Sequence, residues 1–281
     1  MVHNTLHKTV RVWRLHPRWS LCAFLLATFG LLSSSALAKG INEYEDRPLF
    51  RSSSSRPGPT EGSQFQVAGL RLYLPQAETD APQKETVQSG DFYEGEMLRQ
   101  LADLLQPNPT IVEVGVGAGL HCFFWATEGR AEEVIAFEPL PECTDTIDRN
   151  ITLNNLDKKI TLYKFALGSD NGTLAVDFSK PGSPSETRLK QSSVGATIQA
   201  KKLDSIKLDV DRIDLIEITT NGLEAEVLAG ALETFKRYRP PFVLVEMEVD
   251  ASETKRVLDK LGYVPEKRFS HKKVLYRRSI D

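Results

Sequence analysis

The chain has 281 residues, 41% of them hydrophobic and 26% charged, with a net charge of -3. This near-average usage excludes a collagen-like, coiled-coil or fully disordered chain. Three cysteines exclude a disulfide-stapled miniprotein, and near-neutral charge gives no argument for a nucleic-acid partner.

The N-terminus stands apart from the rest. No acid precedes Glu43, whereas Lys8, Arg11, Arg14, Arg18 and Lys39 all do. Removing these five from the 35 basic residues leaves 30 against 38 acids, so the body carries about -8. Trp19 to Ala38 is uncharged, apolar at its centre and ends in the small residues Ala36 and Ala38. A basic leader, an apolar stretch and a small-residue end make a signal-peptide pattern. The same 20 residues just suffice to span a bilayer. Residues 1–38 are therefore expected to be a signal peptide or a signal anchor, placing the protein in the secretory pathway or on a membrane. An acid-poor organelle transit peptide is the alternative. Residues 39–62, with Arg51-Ser-Ser-Ser-Ser-Arg56-Pro-Gly-Pro59, read as a flexible linker, and 63–281 as the folded domain.

Within that domain, Phe65 to Leu74 reads as two extended pieces around Gly69. Asp91 to Leu105 carries Met97, Leu98, Leu101, Leu104 and Leu105 on one helical face, stopped by Pro107-Asn108-Pro109. Thr110 to Val114 is a short buried strand, followed by a glycine-rich turn and a helix from about Leu120. Glu133 to Phe137 is a second strand, and Pro141 opens a helix, where its missing N–H costs little. Further strands are expected at 159–165, 212–218 and 241–247, with helices at 223–235 and 252–261, the last ended by Gly262. The stretch from 168 to 206 breaks the rhythm and reads as a β-rich excursion. Residues 263–276 can form two final strands. Strands alternating with helices predict a mostly parallel sheet with helices on both faces. Cys122 and Cys143 read as buried thiols, and no Cys/His spacing suggests a metal site. Asn171-Gly-Thr is a plausible glycosylation acceptor, whereas Asn150-Ile-Thr lies in a predicted helix.

Two places carry chemistry. In Val112-Glu-Val-Gly115-Val-Gly117-Ala-Gly119, alternate glycines after a strand permit positive φ and close backbone approach of a ligand. Glu138 ends the second strand, 19 residues past Gly119, where a carboxylate can accept both hydroxyls of a ribose. A ribose-bearing cofactor follows, either NAD(P) or S-adenosylmethionine. Glu113 favours the latter. A carboxylate ahead of the first glycine can receive an ammonium, but would hinder a pyrophosphate.

These residues resemble the FkbM-type methyltransferases of the class I fold. The landmarks also include Tyr93-Glu94, Ala136-Phe-Glu-Pro139, Asn150-Ile-Thr-Leu-Asn154, Ala166-Leu-Gly168, Lys202-Leu-Asp204, Ile213-Asp-Leu-Ile216, Gly230-Ala231 and Val245-Glu246. The resemblance implies a Rossmann-like seven-stranded sheet whose last strand is antiparallel. It also implies S-adenosylmethionine as cofactor and methyl transfer to oxygen of a small-molecule or carbohydrate acceptor. Glu113, Gly115, Gly117 and Gly119 would then hold the methionine part and Glu138 the ribose, with Ala166 near the adenine. The family usually has a Lys-Ile-Asp-Val-Glu-Gly-like run after the fourth strand; here it reads Glu217-Ile-Thr-Thr-Asn-Gly222. Glu217, Thr219 and Asn221 are the candidate catalytic residues. Thr and Asn cannot act as a carboxylate base. Either Glu217 or Glu246 supplies one, or the acceptor differs, or the chain is a non-catalytic binding protein. Glu217 reads equally as a solvated strand-end acid, Glu246 as a helix-facing or capping carboxylate, and His121 as a helix-surface residue.

Overall fold

The structure is a computed structural model that describes residues 63–177, 183–190, 196–247 and 251–279. All lie within one compact unit, Ser52–Asp281. The expected targeting segment and linker fall outside the described residues. Among the described residues, no helix is long and apolar enough to cross a membrane.

The first two strands, β1 (Gln64–Val67) and β2 (Leu70–Tyr73), form an antiparallel hairpin. Its two-residue turn holds Ala68 at φ 46° and Gly69 at φ 86°. Two successive positive φ values match the right-handed twist of the strands. Helix α1 (Ala81–Ser89) follows, capped by Asp80, whose side chain accepts from the Gln83 N–H. Sequence periodicity does not reveal α1, because its buried residues, Gln83 and Thr86, are polar. The expected 91–105 helix shrinks to α2 (Gly95–Ala102). Glu94 sits at φ 54° and breaks the helical path just before it.

The parallel core strands are β3 (Thr110–Val114), β4 (Glu133–Phe137) and β5 (Ile160–Tyr163). Between them run α3 (Leu120–Ala126) and α4 (Pro141–Asn154). The excursion is a separate four-stranded sheet of β6 (Ala166–Leu167), β7 (Gly172–Asp177), β8 (Arg188–Lys190) and β9 (Thr197–Lys201). Strand β10 (Leu215–Ile218) returns to the main sheet. In place of the single helix expected over 223–235 the chain forms two, α5 (Glu224–Ala229) and α6 (Leu232–Tyr238). The break has a packing cause. A Cβ on Gly230 would lie 2.0 Å from the Gly168 carbonyl oxygen. The Asp204 carboxylate also caps α6, accepting from Glu233 N and Thr234 N at 3.0 and 2.8 Å. Strand β11 (Phe242–Glu246), helix α7 (Ser252–Lys260) and strands β12 (Tyr263–Arg268) and β13 (Lys273–Arg278) complete the domain.

The main sheet has the order β12-β13-β11-β10-β3-β4-β5, with β13 antiparallel to both neighbours. This is the predicted Rossmann-like seven-stranded sheet with an antiparallel last strand. Alternate residues face two apolar layers. Ile111, Leu215, Leu244 and Leu275 join one with Phe123, Phe124 and Trp125, while Val112, Val114, Ile216, Val243 and Val245 face the other. Because side chains alternate with period two, Glu113, Glu217, Glu246 and Lys273 share the face of that first group. Three acids and a lysine thus occupy positions that packing would fill with aliphatic residues.

The Asn150–Asn154 landmark acts as a pair of side-chain clamps. Asn150 Oδ1 accepts from Tyr73 N at 2.6 Å, and its Nδ2 donates to Tyr73 O at 3.0 Å. Asn154 repeats this on Arg71 at 3.1 and 3.0 Å. Residues four apart on α4 thereby dock the edge of β2. Asn150 is fully buried, so its sequon is closed in the folded chain, whereas Asn171 is exposed. Replacing Asn150 with alanine strands two backbone groups and is expected to lower stability by about 2–3 kcal/mol. Urea unfolding measures this; a loss below about 0.5 kcal/mol, the range of neutral surface changes, contradicts the clamp.

Candidate active site

The turn from β3 into α3 holds Gly115, Gly117 and Gly119 at φ 80°, 55° and 79°. A Cβ on Gly115 would lie 2.4 Å from the Thr219 carbonyl oxygen, so the two strand ends could not approach with any other residue there. Gly117 is different: its Cβ would meet nothing within 4 Å, so only its left-handed backbone demands glycine. The open side of that turn faces a cavity of about 430 Å³ at the carboxyl ends of β3, β4, β10 and β11.

Glu138 ties the turn to the end of β4. Its Oε2 accepts from Gly117 N at 2.8 Å and its Oε1 from Leu140 N at 2.9 Å. Burial pushes its pKa up to about 7 against the pull of these two N–H groups. Both oxygens are oriented, and each keeps a second lone pair for a ligand hydroxyl.

Glu113, Gly115, Gly117, Glu138 and Ala166 all line this cavity, as do Glu217, Thr219 and Asn221. Gly119 does not; it opens α3 instead. Thr219 Oγ1 donates to Gly115 O at 2.9 Å. Asn221 Nδ2 donates to Ser185 O and Thr187 O at 2.9 and 3.1 Å, and Asp80 Oδ2 accepts from Ser185 N at 3.1 Å. Both candidate polar side chains are therefore engaged with backbone. Asn221 holds the 183–190 segment, part of which lines the cavity.

The readings of Glu217 as a solvated acid and His121 as a helix-surface residue are both corrected. Glu217 is 2% exposed and its Oε1 lies 2.8 Å from His121 Nδ1, with the His121 side chain only 12% exposed. His121 Nε2 is 3.4 Å from Glu94 Oε2, close enough for charge attraction but without a well-formed hydrogen bond. Glu94 in turn pairs with Lys273. Lys273 lies 4.0 Å from Glu246, which ends β11 in the cavity wall. Tyr93 stacks on the His121 ring, with centroids 5.8 Å apart. The result is a chain of alternating charge: Glu217, His121, Glu94, Lys273, Glu246.

The protonation states follow from this alternation. Burial works against the His121 cation, but Glu217 and Glu94 overcome it and lift its pKa to about 9. Burial also opposes the Glu94 anion, yet His121 and Lys273 bring it down to about 2. Glu217 is likewise lowered despite burial, through His121 and then Lys273. Glu113 has no such partner. Burial first, and then the Glu217 charge, raise it to about 8, and its Oε2 accepts from the Cys122 thiol at 3.0 Å.

Sequence reasoning missed the participation of Glu94 and Lys273. Glu94 stands out only as a landmark beside Tyr93. Lys273 lies in a short terminal strand with further basic residues, where nothing marks it as buried.

The acid ahead of the glycine turn, Glu113, would repel the pyrophosphate of a dinucleotide lying across that turn. Fold and site together define a Rossmann-like protein with a ligand cavity at the carboxyl ends of its strands. The Methyltransferase FkbM domain matches residues 113–271, more than half of the chain, and the chain belongs to that family. This sets aside the nicotinamide alternative. Methyltransferase sdnD of Sordaria araneosa is 28% identical over 162 residues, which cover 46% of this chain and 62% of that protein. The match thus spans less than two thirds of that relative's length. Among solved structures, methyltransferase FkbM of Methylobacillus flagellatus KT aligns with a TM-score of 0.45 at 20% identity, over 60% of this chain and 43% of the other. Precorrin-6y C5,15-methyltransferase of Geobacter metallireducens GS-15 aligns with a TM-score of 0.41 at 13% identity, over 66% and 88%.

Proposed function

We propose that the cavity binds S-adenosylmethionine and that the protein methylates a hydroxyl of a small-molecule or glycan acceptor. The observation that carries this reading is the bond from Gly117 N to Glu138 Oε2, which fixes a ribose-accepting carboxylate against the open side of the glycine turn. The residues present also fit the other end of the cofactor. Buried Glu113 Oε1 and Glu217 Oε2 have no hydrogen-bond partner, and an ammonium supplies the donors they lack. Glu138 would hold the ribose, Glu113 and the turn the amino-acid end, and Ala166 part of the adenine wall.

When bound, the cofactor supplies a methyl group already activated on a sulfonium, so alignment of the acceptor contributes most of the acceleration. Glu246 would receive the acceptor's proton. Its carboxylate is 3.9 Å from Lys272 Nζ and 4.0 Å from Lys273 Nζ, beyond hydrogen-bond distance of either. Asn221 would position the 183–190 segment around the acceptor, and Thr219 would hold the glycine turn to β10.

The experiment is S-adenosylhomocysteine release across a panel of hydroxylated acceptors, including free sugars and glycans. The expected result is turnover with at least one of them, falling about 10²–10⁴-fold in Glu246→Gln, the range for losing a general base. Cofactor affinity should be unchanged in that variant. Turnover that is insensitive to Glu246→Gln would remove Glu246 from the mechanism. Bound cofactor with no turnover on any hydroxyl would contradict the acceptor class.

A further inference from the structure

Strand register sets Glu113 of β3 directly beside Glu217 of β10. Neighbouring strands lie only about 4.8 Å apart. Both residues are 2% exposed, and both line the cavity. Each has one oxygen committed to α3: Glu113 Oε2 to the Cys122 thiol, and Glu217 Oε1 to His121 Nδ1. Each has its other oxygen buried with no partner. Two carboxyl groups side by side in a dry wall cannot both stay ionised, so the pair holds a proton until a ligand cation meets it.

Resting on the S-adenosylmethionine reading, we propose that Glu113 and Glu217 together form a two-carboxylate receptor for the ammonium of the cofactor's amino-acid end, and that seating this ammonium expels the single proton the carboxyl pair holds. Glu217 is thereby a binding residue rather than a base. The proton balance is simple. The free site holds Glu113 as a neutral carboxylic acid beside the Glu217 anion. The ammonium enters with its own three protons, one proton leaves Glu113 for the buffer, and no covalent bond to carbon or sulfur changes.

Every charged group packed around the pair fits this assignment. His121 on α3 neutralises Glu217 from one side. Lys273 on β13 and Glu94 ahead of α2 pair with each other, and Glu246 on β11 faces Lys273. No cation among these has a hydrogen bond to Glu113, whose thiol partner is neutral because burial raises the Cys122 pKa further. Glu113 therefore stays protonated near pH 7 until a ligand cation arrives. The acid just after β4, Glu138, belongs to the ribose end and can exchange protons there independently.

The test uses the full-length protein and two probes, S-adenosylhomocysteine and 5′-methylthioadenosine. They share the nucleoside and thioether, and only the first carries the ammonium. The second therefore subtracts any proton exchanged at Glu138. Calorimetric titration at pH 7 in two buffers of different ionisation enthalpy counts the protons released. S-Adenosylhomocysteine is expected to release about one proton more than 5′-methylthioadenosine. Its dissociation constant, relative to that of 5′-methylthioadenosine, should tighten close to tenfold from pH 6.5 to 7.5, as linkage to one proton requires. Glu113→Gln should abolish the excess proton. Glu217→Gln should weaken S-adenosylhomocysteine about tenfold or more and leave 5′-methylthioadenosine within about twofold, as loss of a charged hydrogen bond at one end predicts. Binding of the second probe also reports that each variant is folded. Equal proton counts for the two ligands in the wild type overturn the proposal and leave the cofactor reading standing. Equal losses for both ligands in Glu217→Gln remove Glu217 from the receptor. Failure of the wild type to bind either ligand overturns the cofactor reading and this inference together.

Discussion

Replacing His121 with leucine is expected to cost about 3–5 kcal/mol of folding stability at pH 6.5, because it leaves the buried Glu217 anion without its cation. The leucine fills similar space, so the loss reports charge rather than a cavity. The pH dependence distinguishes this from a packing defect. The folded pKa of His121, about 9, lies above its ordinary value of 6.5. Its stabilising contribution is therefore fully present below pH 6.5 and fades as pH rises through about 9. Glu94 runs the other way. Its folded pKa of about 2 lies below the ordinary 4.5, so its contribution is present above pH 4.5 and is lost as pH falls through about 2. The gap between wild type and His121→Leu should thus be widest near pH 5–6.5 and narrow toward pH 10. Denaturant unfolding across this range measures it. A gap independent of pH, or one below about 1 kcal/mol, would mean that the alternating charges contribute little.

Replacing Glu138 with alanine is expected to weaken S-adenosylmethionine by about 1.5–3 kcal/mol, the range for a hydrogen bond to a charged group. That is roughly a 10- to 150-fold increase in Kd. Two effects act in the same direction. The ribose loses its acceptor, and Gly117 N and Leu140 N lose the oxygens that hold the turn against β4. Glu138→Gln separates them, because its single amide oxygen can keep only one of the two N–H bonds. It should fall between wild type and alanine. A titration in which Glu138→Ala binds as tightly as wild type would remove this residue from the cofactor site.

Much of the fold was legible in the sequence because its signals are local. Strands β3 and β4 match their predicted bounds, since a short run of β-branched and apolar residues closed by glycine or proline admits little else. The cavity wall was legible for a similar reason. Gly115 and Gly117 follow the end of β3 and Glu138 follows the end of β4, and parallel pairing of β3 with β4 brings these ends together. Helix α1 was hidden because polar residues fill its buried face. The break between α5 and α6 depends on Gly168 and Asp204, which are distant in sequence. The charge chain was hidden for the same reason. His121, Glu94, Lys273 and Glu217 come from four separate elements, and each alone looks like an ordinary surface residue. The altered 217–221 run is also clearer in three dimensions. Thr219 and Asn221 bond to backbone, so the run serves to hold the glycine turn and the 183–190 segment, while Glu217 joins Glu113 and His121.

The most direct measurement is a crystal structure determined with S-adenosylhomocysteine. The nucleoside is expected along the carboxyl edge of β3 and β4, with its ribose hydroxyls on Glu138 and its amino-acid end toward Glu113. Density for the nucleoside elsewhere on the protein, or a filled cavity in which Glu138 makes no contact with the ribose, would contradict it.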